Sequence, residues 1–157
     1  MSIWGIRALE CDKGLDTIEY LDSNYLAHQQ EQISLEEMAI LLSEHGLLCS
    51  HQDKNNLSSD ISALVLAELL YEWHHFGYPC YENESNYATW KNISQFHASP
   101  VALNSLLEHI NSIYGDVCAN NQQRLIVQQW RNSAYYLAWV EHLQSLKEAI
   151  QELLVKH

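Results

Sequence analysis

Apolar residues recur along this chain at steps of three and four far more often than at steps of two, which is the period of a helix. Leu15, Ile18 and Leu21 or Tyr25 predict a short first helix with Asp12 as its N-cap. Ser34-Leu35-Glu36-Glu37 has the form of a capping box, leads into Met38, Leu41 and Leu42, and is followed by Gly46 as a C-terminal stop. A third helix is expected from Ser58 or Ser59 to the His74-His75 pair. Its Ile61, Leu64, Val65, Ala67, Leu69 and Leu70 leave it apolar on most of its circumference, the pattern of a central buried helix. Ser99 before Pro100 is an N-cap followed by proline at the first helical position, opening a helix that Gly115 is expected to end.

From Asn121 the chain is expected to be helical to its end, with a break near Asn132-Ser133. Tyr136, Trp139, Leu143, Leu146, Ile150 and Leu153 form one apolar seam; it covers fewer than three heptads, so it reads as core before it reads as a coiled-coil dimer surface. Between the third helix and Ser99, the segment from Tyr78 to Trp90 has no clear period and is the longest expected loop. Five glycines and two prolines are too few for a turn-rich β fold. The whole pattern predicts an all-α bundle of about six helices, with residues 1–157 forming a single domain.

Composition agrees with a folded core, since 47% of the residues are hydrophobic and only 18% are charged. Charge changes the picture more. Twenty acids stand against eight basic residues, for a formal net charge of -12 with nine histidines counted neutral. Such a field repels phosphate backbones and anionic lipid, so no nucleic acid and no membrane is expected as partner. A basic partner suits it. Residues 1–120 hold 17 acids and 4 basic residues, whereas residues 121–157 hold 3 and 4, so the field belongs to the first three quarters of the chain. No apolar stretch reaches the length of a signal core or a membrane helix, and a cytoplasmic location is the expectation. Cys11, Cys49, Cys80 and Cys118 lie more than thirty residues apart and read as free thiols.

Four constellations are candidates for chemistry. His74, His75, Cys80 and His97 are the best metal candidates, but adjacent helical histidines point about a hundred degrees apart, so one at most joins a given site easily. Their ordinary alternative is imidazole at a helix C-terminus, and neither metal nor cofactor is expected. Cysteine and histidine pairs for nucleophilic catalysis have no motif to support them, and no enzyme activity is expected. Glu10, Asp12, Asp16 and Glu19 form an N-terminal carboxylate group that could serve acid–base or Mg²⁺ chemistry, against the ordinary use of Asp12 as N-cap and Asp16 in the first turn beside a positive helix end. The loop interleaves Tyr78, Tyr81, Tyr87 and Trp90 with Glu82 and Glu84, rigid aromatics beside acids, as a surface for a basic partner requires. The alternative is that those aromatics fold back on the core.

Trp4-Gly5, then Glu10, Asp12 and Asp16 before an apolar helix, resembles the start of the bacterial family called domain of unknown function 4259. Leu125, Trp130, Trp139, Val140, Leu143 and Leu146 are similar to the closing pattern of that family. Arg7, Ala8 and Leu9 depart from its usual glycine, proline and aromatic. The resemblance implies a helical bacterial cytosolic protein and brings no catalytic residues. By general type, small, acidic and cytosolic, the chain also resembles immunity proteins of contact-dependent and polymorphic toxin systems. The functional expectation is therefore a protein that neutralises a cognate basic toxin domain, a nuclease in the leading case, by occluding its active site. Glu10, Asp12, Asp16 and the Tyr78 to Trp90 loop would contribute. A metal-binding or small-ligand helical enzyme is the alternative.

Overall fold

The most apolar run of the sequence becomes the helix around which the others assemble. In the computed structural model, which describes residues 2–77, 90 and 92–156, this helix, α3, spans Leu57–Phe76, and every residue from Ser59 to Leu70 is buried. Asn56 caps it by accepting from the Ser59 N–H at 3.1 Å, and Gly77 ends it at φ 79°, a left-handed turn that costs glycine nothing. The other helices are α1 (Asp12–Asn24), α2 (Leu35–Glu44), α4 (Pro100–Cys118), α5 (Leu125–Arg131) and α6 (Tyr136–Val155). Helix α3 packs against α1, α4, α5 and α6. One hydrophobic core runs from Ala8 to Ile150 and draws on all six helices. The all-α bundle predicted by periodicity is the observed architecture, and among the described residues no helix is long and apolar enough to cross a membrane.

Local chemistry sets most element boundaries. Ser34 Oγ accepts from the Glu37 N–H, as the capping box requires. The return bond is made through a third residue: the Ser34 N–H donates to the Tyr25 hydroxyl at 2.9 Å, and that hydroxyl donates to Glu37 Oε1 at 3.0 Å. Burial pushes the Tyr25 pKa up to about 12, so the donor keeps its proton at physiological pH. Helix α2 ends in a Schellman turn, with Leu47 N–H on Leu42 O, Gly46 N–H on Ser43 O and Gly46 at φ 71°. Ser99 and Pro100 open α4 as the sequence predicts.

Several expectations need correction. Asp12 is not the cap of α1: the buried Cys11 thiol accepts from the Gly14 N–H at 3.3 Å and donates to Ala8 O at 3.2 Å. Asp12 is instead the first helical residue, with its carboxylate accepting from the Ser2 and Lys13 N–H groups. Gly115 does not end α4, which runs on to Cys118. The stop lies later because Asp116 turns back to accept from the Gln123 and Arg124 N–H groups, anchoring the chain beyond the helix. Helical structure resumes at Leu125, not Asn121, and the break before α6 falls at residues 132–135. The bundle also holds a two-stranded parallel sheet, β1 (Gln32–Ser34) with β2 (Gln95–His97), which the helical period concealed. It ties the segment before α2 to the segment before α4.

Gly14 is fixed by contact, since a Cβ there would meet Ala8 O at 1.7 Å and Cys11 Sγ at 3.2 Å. Gly14→Ala is expected to lower unfolding stability by about 2 kcal/mol or more, because backbone has to move to admit the methyl. Urea denaturation checks this, and a change under about 0.5 kcal/mol would mean that the Ala8 turn is free to give way.

Candidate functional site

Among the described residues four acids are buried, and three of them stand on α3, where a long apolar helix would be expected to hold none. Asp60 is the most fully answered. Its Oδ2 accepts from Arg124 Nε at 2.8 Å, and its Oδ1 accepts from Arg124 Nη2 at 3.0 Å and His109 Nε2 at 2.8 Å. Arg124, itself 2% exposed, also donates through Nη2 to the His51 carbonyl, while its backbone N–H is held by Asp116. The planar fork of arginine satisfies both carboxylate oxygens at once. This cluster joins α3, α4, the segment before α5 and the loop after α2.

Glu68 and Glu72, one turn apart on α3, face the N-terminal segment. Glu68 accepts from His142 Nε2 at 2.8 Å and 3.0 Å and from the Ala8 N–H at 3.3 Å. Glu72 accepts from Arg7 Nη1 at 2.9 Å, and Arg7 reaches Glu10 through Nε at 3.3 Å. These bonds pin residues 7–10 and α6 to the central helix. They use Glu10 internally, which removes it from the set of carboxylates free for a partner.

Of the other predicted site residues, Asp12 and Asp16 are exposed on α1, with Glu19 one turn further along the same face. Tyr78, Tyr81, Glu82, Glu84 and Tyr87 lie outside the described residues. Trp90 is described and is wholly buried, so it packs in the core and presents no binding surface. His74 and His97 both line a cavity of about 340 Å³, but His74 binds Glu152 at 2.7 Å and His97 binds Gln32 at 3.2 Å. His75 stacks on Tyr71 with ring centroids 4.4 Å apart, and Cys80 lies outside the described residues. Among the described residues no group of three or more His, Cys, Asp or Glu side chains is placed to hold a metal ion. Cys11 is buried, and burial pushes its thiol up to about 11, so it stays protonated and unreactive at neutral pH.

The surface offers a feature that periodicity did not reveal. Between α2 and α4 lies an open groove of about 610 Å³, floored by Leu35, Leu66, Leu106 and His109 and walled by Ala39, Ile40, Val101 and Ala102. Ile40 and Val101 remain 53% and 75% exposed. Glu36 and Glu44 stand on its α2 side, Glu108 lies 3.9 Å from the lining His51, and among the described residues no lysine or arginine lines it. The acidic face of α1 adjoins the same side, because Tyr20 of α1 packs on His45 at the end of α2, centroids 4.7 Å apart. Desolvation and then Glu44 push the Tyr20 pKa up, and desolvation and then Glu19 push that of Asp22 up.

No protein family, curated protein or solved structure matches this chain.

Asp60→Ala is expected to cost about 3–5 kcal/mol, since it leaves Arg124 buried without its carboxylate. Arg124→Met, close in length and apolar, should also be destabilising because it leaves Asp60 without its two strongest donors. Chemical denaturation reads both, and a loss under about 1 kcal/mol for either would mean that water already shares the site. Asp22 has the opposite sign: its folded pKa lies above its unfolded one, so its ionised form opposes folding at neutral pH. Asp22→Asn should therefore raise Tm at pH 7, with the gain vanishing below about pH 4, where the aspartate is protonated in both states. A Tm gain that persisted into acid would contradict this cause.

Proposed function

We propose that this protein binds and neutralises a cognate basic toxin domain, in the manner of an immunity protein, with a nuclease as the toxin that fits best. The observation that carries the reading is how the charges divide between the interior and the surface. Two arginines, Arg7 and Arg124, are spent on acids of the protein itself. Exposed carboxylates on α1 and α2, namely Asp12, Asp16, Glu19, Glu36, Glu37 and Glu44, have no salt bridge to a lysine or arginine among the described residues. The surface of α1 and α2 is therefore rich in carboxylates, and a nuclease has to present a cationic cleft to hold its substrate. A protein whose acids occupy that cleft acts as a mimic of phosphate and excludes the substrate. The cytosolic location follows from this role, since the toxin acts on nucleic acid inside the cell. The resemblance to domain of unknown function 4259 is compatible with it and adds no residues to the site.

The test is affinity capture from the organism that encodes the chain, followed by a nuclease assay of the captured partner. A partner of high pI is expected, with its nuclease activity suppressed by the wild-type protein. The double variant Asp16→Lys with Glu19→Lys, which spares the helix cap, should suppress it at least about tenfold less well. Partners of neutral or acidic charge, or nuclease activity indifferent to the protein, would overturn the reading.

A further inference from the structure

We propose that the groove between α2 and α4 is the seat of one cationic amphipathic helix of the partner. This deepens the reading above and rests on it for the sign of the partner's charge. Four features lead to it.

The first is apolar exposure within one concavity: Ile40 on α2 and Val101 on α4 both line the groove, at 53% and 75% exposure. Exposed apolar side chains lining one concavity are the arrangement of a protein docking site. The second is charge. Glu36 and Glu44 line the α2 side of a largely apolar groove, Glu108 of α4 lies 3.9 Å from the lining His51, and no described lysine or arginine lines it. Lysines or arginines flanking an apolar stripe would meet these carboxylates while the stripe enters the groove.

The third is backbone accounting, which selects a helix over a strand. Beyond the first turns, where Leu35, Glu36 and Val101 carry N–H groups with no partner inside the helix, the helical walls bond their backbone groups within α2 and α4. An extended segment laid in the groove would bring many unpaired backbone groups onto a largely apolar floor, and the walls can answer few of them. A helix arrives with its own backbone satisfied. The fourth is shape. With Ile40 and Val101 more than half exposed, the groove is open along its lips and does not enclose a small ligand on most of its surface, as a cofactor pocket does.

The probe is a synthetic alanine-based helical peptide of about four turns, with leucines at i, i+3, i+4 and i+7 and lysines flanking that stripe. A second peptide carries glutamates in place of the lysines. With the lysine peptide, amide chemical-shift changes are expected to cluster on α2 and the first half of α4. Ile40→Asp and Val101→Asp, which leave the core untouched, should each weaken binding at least about tenfold. The glutamate peptide should not bind. Shifts centred elsewhere, equal binding of the two peptides, or indifference to both variants would overturn the proposal. So would a concentration-dependent dimer that Ile40→Asp dissolves, since a second copy would then own the groove, or seating of a neutral long-chain alcohol where the peptide does not bind. The two readings separate cleanly. A captured basic partner that Ile40→Asp and Val101→Asp hold as tightly as wild type contradicts the groove and leaves the acidic binder standing. A lysine peptide seated in the groove without any basic partner in the capture supports the groove and contradicts the toxin reading.

Discussion

A buried arginine fork on a buried carboxylate, Arg124 on Asp60, holds together the parts of this bundle that hydrophobic contact alone would leave free to slide. Helix α3 is apolar nearly all round, and such a helix can rotate in its socket at little cost in buried area. Asp60 removes that freedom. Its two oxygens must meet the guanidinium and the His109 ring together, which fixes the rotation of α3, the register of α4 against it and the path of the chain into α5. Glu68 and Glu72 repeat the device at the other end, drawing in His142 from α6 and Arg7 from the N-terminal segment. Burying ions in this way adds little net stability when every partner is present, and is severe when one is missing. What it supplies here is a single arrangement.

That internal use of charge shapes the outside as well. Arg7 and Arg124, which could otherwise moderate an acidic surface, are turned toward Glu72 and Asp60, and the four buried acids among the described residues are each hydrogen-bonded where they stand. The remaining carboxylates of α1 and α2 face solvent beside an apolar groove. The raised pKa of Asp22, from desolvation and from Glu19, is the local strain of that crowding, and a partner's cations would relieve it. The Asp60 cluster fixes α4 against α3, and exposed carboxylates of α2 stand beside the groove between α2 and α4.

The helices themselves were legible because their signals are local. Ser34, Ser99 with Pro100 and Gly46 cap or end helices where the pattern placed them, and the apolar run from Ile61 to Leu70 did become the buried centre. The acids on that run were legible as residues and not as ion pairs, because their partners stand as much as 74 positions away along the chain. Cys11 displaced Asp12 as the cap because the buried thiol finds an acceptor in the Ala8 carbonyl and a donor in the Gly14 N–H, which spacing does not encode. Strands of three residues carry too little alternation to register against a helical background. The groove was invisible for a similar reason. Ile40 and Val101 lie off the buried stripes of α2 and α4, and spacing within either helix does not show that both line one concavity. Trp90 shows the converse, an aromatic read as surface that tertiary packing buries.

The central claim is that an uncompensated acidic face drives recognition of a cationic partner, and the association rate with that partner as a function of salt tests it most directly. Stopped-flow measurement should show association of about 10⁸ M⁻¹s⁻¹ or faster at low ionic strength, falling steeply as salt rises while dissociation changes little. An association rate that stays near about 10⁵–10⁶ M⁻¹s⁻¹ and is flat in salt would contradict the account.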